Sequence, residues 1–304
     1  MDSSALSLSL DRLTTEASNA ASERLDQLSA LEIVSVMNDE DAKVAAAVRA
    51  EAPRIAKAIE IIAERLREGG RLIYLGSGTS GRLGVLDAAE CPPTFGSDPS
   101  QVIGLIAGGA QALIRSVEGA EDRAELAVAD LQAVSVGPRD VVVGVAASGR
   151  TPYVRRGLQF AREQGARVIG LCCNVESELQ SEAEFVIAPI VGPEVLSGST
   201  RLKAGTATKM VLNMLTTGAM VLLGKTYGNL MVDLRATNAK LQARALRILQ
   251  RLTSLNAEEA QRRLAECGGE LKTAIVAVKR SLSPDEARRR LEKSGGQLRG
   301  ALEN

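Results

Sequence analysis

Two segments rich in glycine, serine and threonine hold the residues best suited to bind an anion. They are Gly76–Gly84 (GSGTSGRLG) and Ala146–Tyr153 (AASGRTPY), and each comes where an apolar run ends and a helical pattern begins. Glycine lets the backbone approach a ligand closely, hydroxyl groups add hydrogen-bond donors, and the first N–H groups of a helix favour a phosphate. We therefore predict that both segments bind a phosphorylated small molecule, through Ser77, Gly78, Thr79, Ser80, Ser148, Gly149 and Thr151.

A dinucleotide site and a purely structural role are the alternatives for these segments. Gly76, Gly78 and Gly81 have the GxGxxG spacing of a dinucleotide site, but the acid that would bind the ribose is missing, since the chain reads AGG at Ala107–Gly109. No Gly-Lys-Ser/Thr of a Walker A motif follows either. In the structural alternative the segments are only tight turns and helix caps, which accounts less well for two such segments after separate strands.

The absence of histidine from all 304 residues limits the chemistry most. It excludes catalysis by a Ser-His-Asp triad or a Cys-His pair, and it removes the commonest ligand of catalytic zinc. Acid–base catalysis must then use Glu, Asp, Lys, Tyr or Cys. With 37 basic and 37 acidic residues, 2% aromatic residues and no tryptophan, the chain lacks the basic surface and the stacking platforms that nucleic-acid binding needs.

We also expect a cytoplasmic protein with no membrane partner. Residues 1–13 (MDSSALSLSLDRL) lack the basic and apolar regions of a signal peptide, and no apolar run approaches the ~20 residues that span a bilayer. The cysteines Cys91, Cys172, Cys173 and Cys267 have no CxxC spacing, which is typical of reduced cytosolic thiols.

The elements that must position the two segments alternate between strands and helices. Helical patterns such as Thr151–Gln164 separate the apolar runs, which indicates an α/β fold with a doubly wound, mainly parallel five-stranded sheet of the flavodoxin-like type. Ligands bind at the carboxyl edge of such a sheet, where both Gly-rich segments would lie. The five runs that predict strands buried on both faces are Arg71–Leu75, Val102–Ile106, Val141–Val145, Arg167–Leu171 and Phe185–Ile190.

Helical segments flank this predicted sheet domain in the chain. We predict an N-terminal helical segment over residues 1–44, the sheet domain over residues 45–250 and a helical domain over residues 251–304. Near the end of the sheet domain, Lys209–Leu223 is apolar nearly all round, which predicts burial in the core or at a subunit interface.

The helical tail contains an internal repeat with a period of ~27 residues, because Asn256–Ile275 matches Ser283–Leu302. Asn256 and Ser283 have the side chains of N-caps, and a Gly-Gly pair follows each predicted helix. The repeat therefore predicts two small helical hairpins that pack together.

Longer stretches of the sequence resemble a known family. Both Gly-rich segments are similar to those of sugar isomerase (SIS) domains, which bind phosphosugars, and to those of the glucokinase regulatory protein, which binds sugar phosphate without converting it. Over nearly the whole chain, the sequence resembles the N-acetylmuramic acid 6-phosphate etherase family. The stretches that carry this resemblance are GSGTSGRLGVLDAAECPPTFG (76–96), GLIAGG (104–109), VEGAED (117–122), AASGRTPYV (146–154) and GSTRLKAGTATKMVLNMLTT (198–217).

The resemblance implies a homodimeric lyase of cell-wall amino-sugar recycling. Its substrate would be N-acetylmuramic acid 6-phosphate, whose lactyl ether at C3 would be cleaved by elimination and hydration to D-lactate and N-acetylglucosamine 6-phosphate. A base would take the C2 proton, an acid would protonate the departing oxygen, and water would add to the enal, with no metal or redox cofactor. An aldose–ketose isomerase and a non-catalytic sugar-phosphate sensor on the same fold are the alternatives.

The resemblance also implies two active-site carboxylates. Glu90 would be the general acid for the leaving lactate, and it lies in AAECPP, where we expect Pro92-Pro93 to halt the helix that begins in the first segment. The family pattern places the second carboxylate on Glu121. Spacing alone does not choose among Glu118, Glu121 and Asp122, since we expect Glu118 and Glu121 to share one helix face.

Basic side chains in and near the motifs are candidates to neutralise the phosphate or the lactate carboxylate. Lys203 and Lys209 lie in RLKAGTATK, and Arg82 and Arg150 lie in the Gly-rich segments. For each of them, an ordinary surface or helix-end position is the alternative. We expect the phosphate at the second Gly-rich segment and the sugar at the first, and the sequence leaves the reverse assignment open.

Overall fold

The computed structural model of the chain describes residues 14–234 and 239–303. Residues 1–13, which carry the start of the predicted N-terminal helical segment and the region compared with a signal peptide, lie outside the described residues. The backbone divides into two compact units. The sheet unit comprises Met1–Ala88 and Val102–Leu215, and the tail unit comprises Ala89–Gln101 and Thr216–Asn304. The domain boundaries predicted after residues 44 and 250 stay a prediction.

Among the described residues, three α-helices precede the sheet: α1 (Ala30–Asp41), α2 (Val44–Ala50) and α3 (Ala52–Arg67). Ser29 and Glu32 form a capping box at the start of α1, so that each side chain accepts a hydrogen bond from the other residue's N–H. α3 is amphipathic, and it buries Ile55, Ala58, Ile61, Ile62, Ala63 and Leu66.

Five strands form the sheet: β1 (Leu72–Gly76), β2 (Val102–Ile106), β3 (Val141–Val145), β4 (Arg167–Leu171) and β5 (Phe185–Ile187). Their order is β2-β1-β3-β4-β5, and every neighbouring pair is parallel. The predicted doubly wound α/β fold is therefore confirmed, and β2, β3 and β4 have the predicted bounds. β5 ends before the predicted Ile190, because Pro189 has no N–H with which to extend the ladder.

Five helices accompany the strands: α4 (Gly78–Phe95), α5 (Ala124–Ala133), α6 (Pro152–Glu163), α7 (Leu179–Glu182) and α8 (Lys203–Leu222). On one face of the sheet, Ile73 and Leu75 of β1 join a core with Leu131 of α5 and Leu158 of α6. Tyr74 points to the other face, where its hydroxyl donates to Asp87 Oδ2 of α4 at 3.0 Å. Successive residues of β1 therefore pack against opposite faces of the sheet, as expected for a strand that is buried on both faces.

α4 continues through Pro92 and Pro93, so the prediction that this pair halts the helix was wrong. The fixed φ of both prolines is compatible with a helix, and each proline removes only the one intrahelical hydrogen bond that its own N–H would have donated. The helix ends instead at Gly96, whose N–H donates to the Pro92 carbonyl at 2.9 Å and whose φ is +62°.

α8 has one buried and one exposed face. Val211 and Leu215 are fully buried, whereas Met214 and Val221 are 40% and 47% exposed. The core therefore covers only part of the apolar segment Lys209–Leu223, and burial of its exposed face at a subunit interface, the other predicted alternative, stays a prediction.

The tail unit contains a short antiparallel hairpin and five helices: β6 (Thr226–Tyr227), β7 (Leu230–Met231), α9 (Ala239–Thr253), α10 (Ala257–Glu266), α11 (Leu271–Arg280), α12 (Pro284–Lys293) and α13 (Leu298–Glu303). Asn256 and Ser283 cap α10 and α12 with capping boxes, as the repeat predicts. Equivalent leucines of the two repeats lie in one core: Leu264, Leu271, Leu291 and Leu298. Within the described parts of both units, no helix has the length and apolar character that a membrane crossing requires.

Candidate functional site

The strand order brings both Gly-rich segments to one point of the sheet. β1 and β3 are neighbours, and the chain continues from β1 to β2 on one side and from β3 to β4 on the other. At such a switch point the turns after the two strands diverge and leave a crevice at the carboxyl edge. The register pairs Gly76 with Val145, the last residues of β1 and β3. Turn 1 (Ser77–Ser80) and turn 2 (Ala146–Thr151) therefore begin at the same level.

A cavity of about 380 Å³, which we call the first cavity, lies at both turns. Its size and its concentration of hydroxyl groups suit a small phosphorylated ligand. The predicted site residues that line it are Ser77, Gly78, Thr79, Ser80, Glu121, Ser148 and Thr151. The other lining residues are Glu16, Asp122, Ala146, Ala147, Arg150, Pro152, Gly198 and Thr200.

Turn 1 is compact because glycines at its two ends, Gly76 and Gly81, allow close contacts that a Cβ would prevent. A Cβ on Gly76 would lie 2.7 Å from the Gly81 nitrogen, and a Cβ on Gly81 would lie 2.6 Å from Ile106 Cγ1. α4 then begins at once, at Gly78. Thr79 therefore lies in the first turn of a helix, where the N–H groups have no intrahelical acceptor and the dipole favours an anion.

Turn 2 is held in place by the segment that follows β4. Asn174 Nδ2 and the Cys173 N–H both donate to the Ala147 carbonyl, at 2.8 and 2.9 Å. The Ser177 hydroxyl donates to the Gly149 carbonyl at 3.3 Å. Gly149 has a φ of +73°, and a Cβ there would lie 2.1 Å from Ser177 Oγ, so the turn requires glycine. Gly149 therefore shapes turn 2 and does not itself line the first cavity.

The two hydroxyl side chains of turn 2 face the first cavity. Ser148 Oγ accepts from the Arg150 N–H at 3.3 Å, which keeps its hydroxyl hydrogen free to point elsewhere. Thr151 is the N-cap of α6, but its side chain makes no capping hydrogen bond. Both hydroxyls can therefore donate to an anion in the first cavity.

A second cavity of about 310 Å³ also borders turn 1. Ser77, Gly78 and Glu121 line both cavities, and Ser77 Oγ donates to Glu121 Oε2 at 3.2 Å. The Ser77–Glu121 pair therefore forms a wall that the two cavities share. The other lining residues of the second cavity are Arg82, Ala107, Ala112, Ser116, Val117, Glu118, Gly119 and Ala120.

The acids of VEGAED do not share one helix face, so that prediction was wrong. Gly119, with a φ of +69°, separates Glu118 from a single 3-10 turn over Ala120–Asp122. All three acids are exposed, but Glu118 lines only the second cavity and Asp122 only the first, whereas Glu121 lines both. Position relative to the cavities distinguishes Glu121 where spacing could not.

Two other predicted site residues do not line these cavities. Glu90 is exposed on α4 and belongs to the tail unit, and Lys209 is exposed on α8. The roles that the sequence suggested for Glu90 and Lys209 stay predictions.

Lys203, which we considered as an anion ligand or as a surface or helix-end lysine, is the first residue of α8 and is buried. It is 1% exposed, and its ammonium group donates to Glu40 Oε2 at 2.5 Å. Burial works to raise the pKa of Glu40, but hydrogen bonds from Lys203, Lys43 and Asn19 outweigh it and lower that pKa to about 2. Glu40 therefore stays ionised and neutralises Lys203 inside the sheet unit, and the pair links α1 to the start of α8.

Sequence reasoning missed two polar residues of the first cavity, Glu16 and Thr200. Glu16 lies in an N-terminal segment that is held to the sheet unit through Thr15, whose N–H donates to Asn174 Oδ1 and whose carbonyl accepts from the Gly198 N–H. No spacing or motif points to a single acid in that segment. Thr200, by contrast, lies within the GSTRLKAG motif and could have been found there.

The chain matches three domain families. Residues 54–162 match the glucokinase regulatory protein N-terminal SIS domain, residues 122–218 match the SIS domain, and residues 228–267 match the C-terminal lid domain of glucokinase regulatory protein. Among solved structures, a phosphoheptose isomerase from Francisella tularensis is similar to 64% of this chain and 100% of its own, with 15% identity and a TM-score of 0.48.

Curated relatives are similar over most of their length. The N-acetylmuramic acid 6-phosphate etherase of Rhodopirellula baltica is 60% identical over 267 residues, which cover 88% of each chain. The protein of the same name from Photorhabdus laumondii is 54% identical over 273 residues, 90% of this chain and 91% of its own. The chain that builds this crevice therefore belongs to the N-acetylmuramic acid 6-phosphate etherase family.

Proposed function

We propose that the protein cleaves the lactyl ether at C3 of N-acetylmuramic acid 6-phosphate and releases D-lactate and N-acetylglucosamine 6-phosphate. The observation that carries this proposal is the name shared by relatives that are 54–60% identical over 88–90% of the chain. The crevice between the two turns supports it, because hydroxyl groups suited to a phosphate lie beside a carboxylate suited to act as a base. Cleavage by elimination makes the protein a carbon–oxygen lyase.

Glu121 is the proposed base for the C2 proton. The sugar opens to its aldehyde, which acidifies C2–H, and the Ser77 hydroxyl donates to Glu121 and orients its carboxylate beside turn 1. Loss of the C2 proton and departure of the oxygen from C3 leave a C2–C3 double bond. Water then adds its oxygen to C3, and Glu121 returns a proton to C2.

Turn 2 is the proposed phosphate site. Ser148 and Thr151 can donate to the phosphate oxygens, and Arg150 lines the same cavity with a positive charge. The rigid support of this turn by Asn174 and Ser177 favours a fixed set of donors. Turn 1 is then left for the sugar carbons next to Glu121.

Glu90 is the proposed acid for the departing lactate oxygen, and we propose that it acts in the site of a partner protomer. Glu90 lies near the end of α4 (Gly78–Phe95) and is not among the lining residues of either cavity. A homodimer would bring Glu90 of one protomer to turn 1 of the other, and the exposed apolar face of α8 is the surface proposed to form it. Such an enzyme would work in the cytoplasm, in the recycling of cell-wall sugars.

An assay of D-lactate release from N-acetylmuramic acid 6-phosphate tests the proposed function. We expect equal amounts of D-lactate and N-acetylglucosamine 6-phosphate, with solvent oxygen at C3 of the sugar product. Formation of a ketose phosphate without lactate would indicate an isomerase and overturn the proposal. Binding of N-acetylglucosamine 6-phosphate without lactate release or exchange at C2 would indicate a sensor.

A further inference from the structure

The second cavity contains a basic side chain that forms no ion pair with the described residues. Arg82 of α4 is half-buried and lines this cavity, and within residues 14–234 and 239–303 its guanidinium has no carboxylate partner within ion-pair distance. Other half-buried arginines of the sheet unit are paired. Arg71 binds Asp140 at 2.6 Å, and Arg167 binds Glu184 at 2.7 Å. Arg82 therefore has a guanidinium that can bind an anion in a cavity large enough for part of a ligand.

Among the lining residues of the second cavity, Arg82 alone carries a positive charge that could attract an anion. The other charged side chains among its lining residues are Glu118 and Glu121, and both are acids. A carboxylate would be repelled by these two groups and attracted by Arg82 alone. A guanidinium suits a carboxylate because it can donate two parallel hydrogen bonds. Ala112 and Val117 add an apolar wall that suits a methyl group.

The substrate of the proposed function carries two anions on different carbons, a phosphate on C6 and the carboxylate of the lactyl group on C3. C3 is bonded to C2, whose proton Glu121 removes, and Glu121 lies in the wall that separates the two cavities. With the phosphate at turn 2 in the first cavity, the substituent on C3 reaches the second cavity beside Glu121.

We propose that the second cavity is the subsite for the lactyl group and that Arg82 binds its carboxylate. This inference rests on the proposed function. It makes Arg82 the residue that distinguishes the ether substrate from sugar phosphates that lack the lactyl group. N-acetylglucosamine 6-phosphate has the same phosphate and the same N-acetyl group, but it has no carboxylate for Arg82 to bind.

The test compares the two sugars in Arg82→Gln and Arg82→Lys. A lost charge-assisted hydrogen-bond pair corresponds to about a 10- to 100-fold effect, so we expect kcat/KM for N-acetylmuramic acid 6-phosphate to fall by that factor in Arg82→Gln. The dissociation constant of N-acetylglucosamine 6-phosphate, measured by calorimetry, should change less than about twofold, which also shows that the variant is folded. Arg82→Lys should recover part of the loss. Arg115→Gln, an exposed arginine three residues from Ala112, is the matched control and should behave as wild type.

Equal weakening of both sugars in Arg82→Gln would overturn the inference, because Arg82 would then bind the phosphate or the N-acetyl group. Unchanged kinetics and binding of both sugars would also overturn it. If the wild-type protein releases no lactate, the proposed function fails separately. The dissociation constants of the two sugars, with and without the lactyl group, then still show whether Arg82 binds the carboxylate.

Discussion

Turn 1 and turn 2 have similar compositions and follow neighbouring strands at the same level, but their surroundings differ. Turn 2 borders only the first cavity, and hydrogen bonds from Asn174 and Ser177 hold its backbone. Turn 1 borders both cavities, and its Ser77 hydroxyl is bonded to Glu121.

This difference separates two tasks that the compositions of the turns do not distinguish. A phosphate that stays unchanged through a reaction needs a rigid set of donors, which turn 2 supplies. The carbons that react need a base beside them, which turn 1 supplies through its contact with Glu121. If this division is right, substitutions at turn 1 should change the rate, and substitutions at turn 2 should change the affinity.

The largest effect should come from Glu121→Gln. The amide cannot accept the C2 proton, so we expect kcat for lactate release to fall by roughly 10²- to 10⁴-fold, with the dissociation constant of N-acetylglucosamine 6-phosphate nearly unchanged. Glu118→Gln is the matched control, since Glu118 lies in the same motif and lines the second cavity without contacting turn 1 through Ser77. Equal losses in the two variants would remove the distinction between these acids.

The next effect should come from Gly149→Ala, which tests the rigidity of turn 2. The added Cβ would lie 2.1 Å from Ser177 Oγ, so the turn must shift, and we expect binding of N-acetylglucosamine 6-phosphate to weaken more than about tenfold. Gly78→Ala in turn 1 is the control, because Gly78 also has a positive φ but a Cβ there meets no atom within 4 Å. It should cost about 1–2 kcal/mol of folding free energy for the backbone conformation alone. Equal loss of sugar binding in both variants would contradict the special support of turn 2.

A smaller effect is expected from Thr151→Val, which removes one proposed phosphate donor and keeps the side-chain shape. Loss of a hydrogen bond to a charged group predicts about a 10-fold rise in KM and in the dissociation constant of N-acetylglucosamine 6-phosphate, with little change in kcat. Inhibition by inorganic phosphate should weaken in parallel. A fall in kcat with unchanged affinity would assign turn 2 to the chemistry instead.

The smallest effect should come from Ser77→Ala. Ser77 positions Glu121, so we expect kcat to fall by up to about 10-fold, with little change in the dissociation constant of N-acetylglucosamine 6-phosphate. Ser80→Ala, in the same turn but without a bond to Glu121, should leave kcat unchanged. An unchanged kcat in Ser77→Ala would show that the bond has no part in the reaction.

Much of the sheet could be predicted from the sequence, because strands that are buried on both faces appear in the sequence as short apolar runs. Val141–Val145 has the predicted bounds, since all five positions are buried. Helix ends were harder. Pro92 and Pro93 did not stop α4, because their fixed φ is compatible with a helix and each removes one hydrogen bond, whereas Gly96, with a φ of +62°, ends the helix.

The candidate site was predicted less completely, because its geometry depends on contacts between distant parts of the chain. Turn residues such as Ser77 and Ser148 were found, since hydroxyls and glycines after a strand form a local pattern. The burial of Lys203 could not be predicted, because its partner Glu40 is 163 residues away. Glu16 was missed because only tertiary hydrogen bonds bring its segment to the first cavity.

Exchange of the C2 proton of N-acetylglucosamine 6-phosphate with deuterated solvent tests the division between binding and proton transfer most directly. Followed by NMR, the wild-type protein and Glu90→Gln should both exchange this proton, because neither the lactyl ether nor its acid is needed for that step. Glu121→Gln should bind the sugar and lose the exchange. Exchange that persists in Glu121→Gln and disappears in Glu90→Gln would contradict the assignment of the base to Glu121 and turn 1.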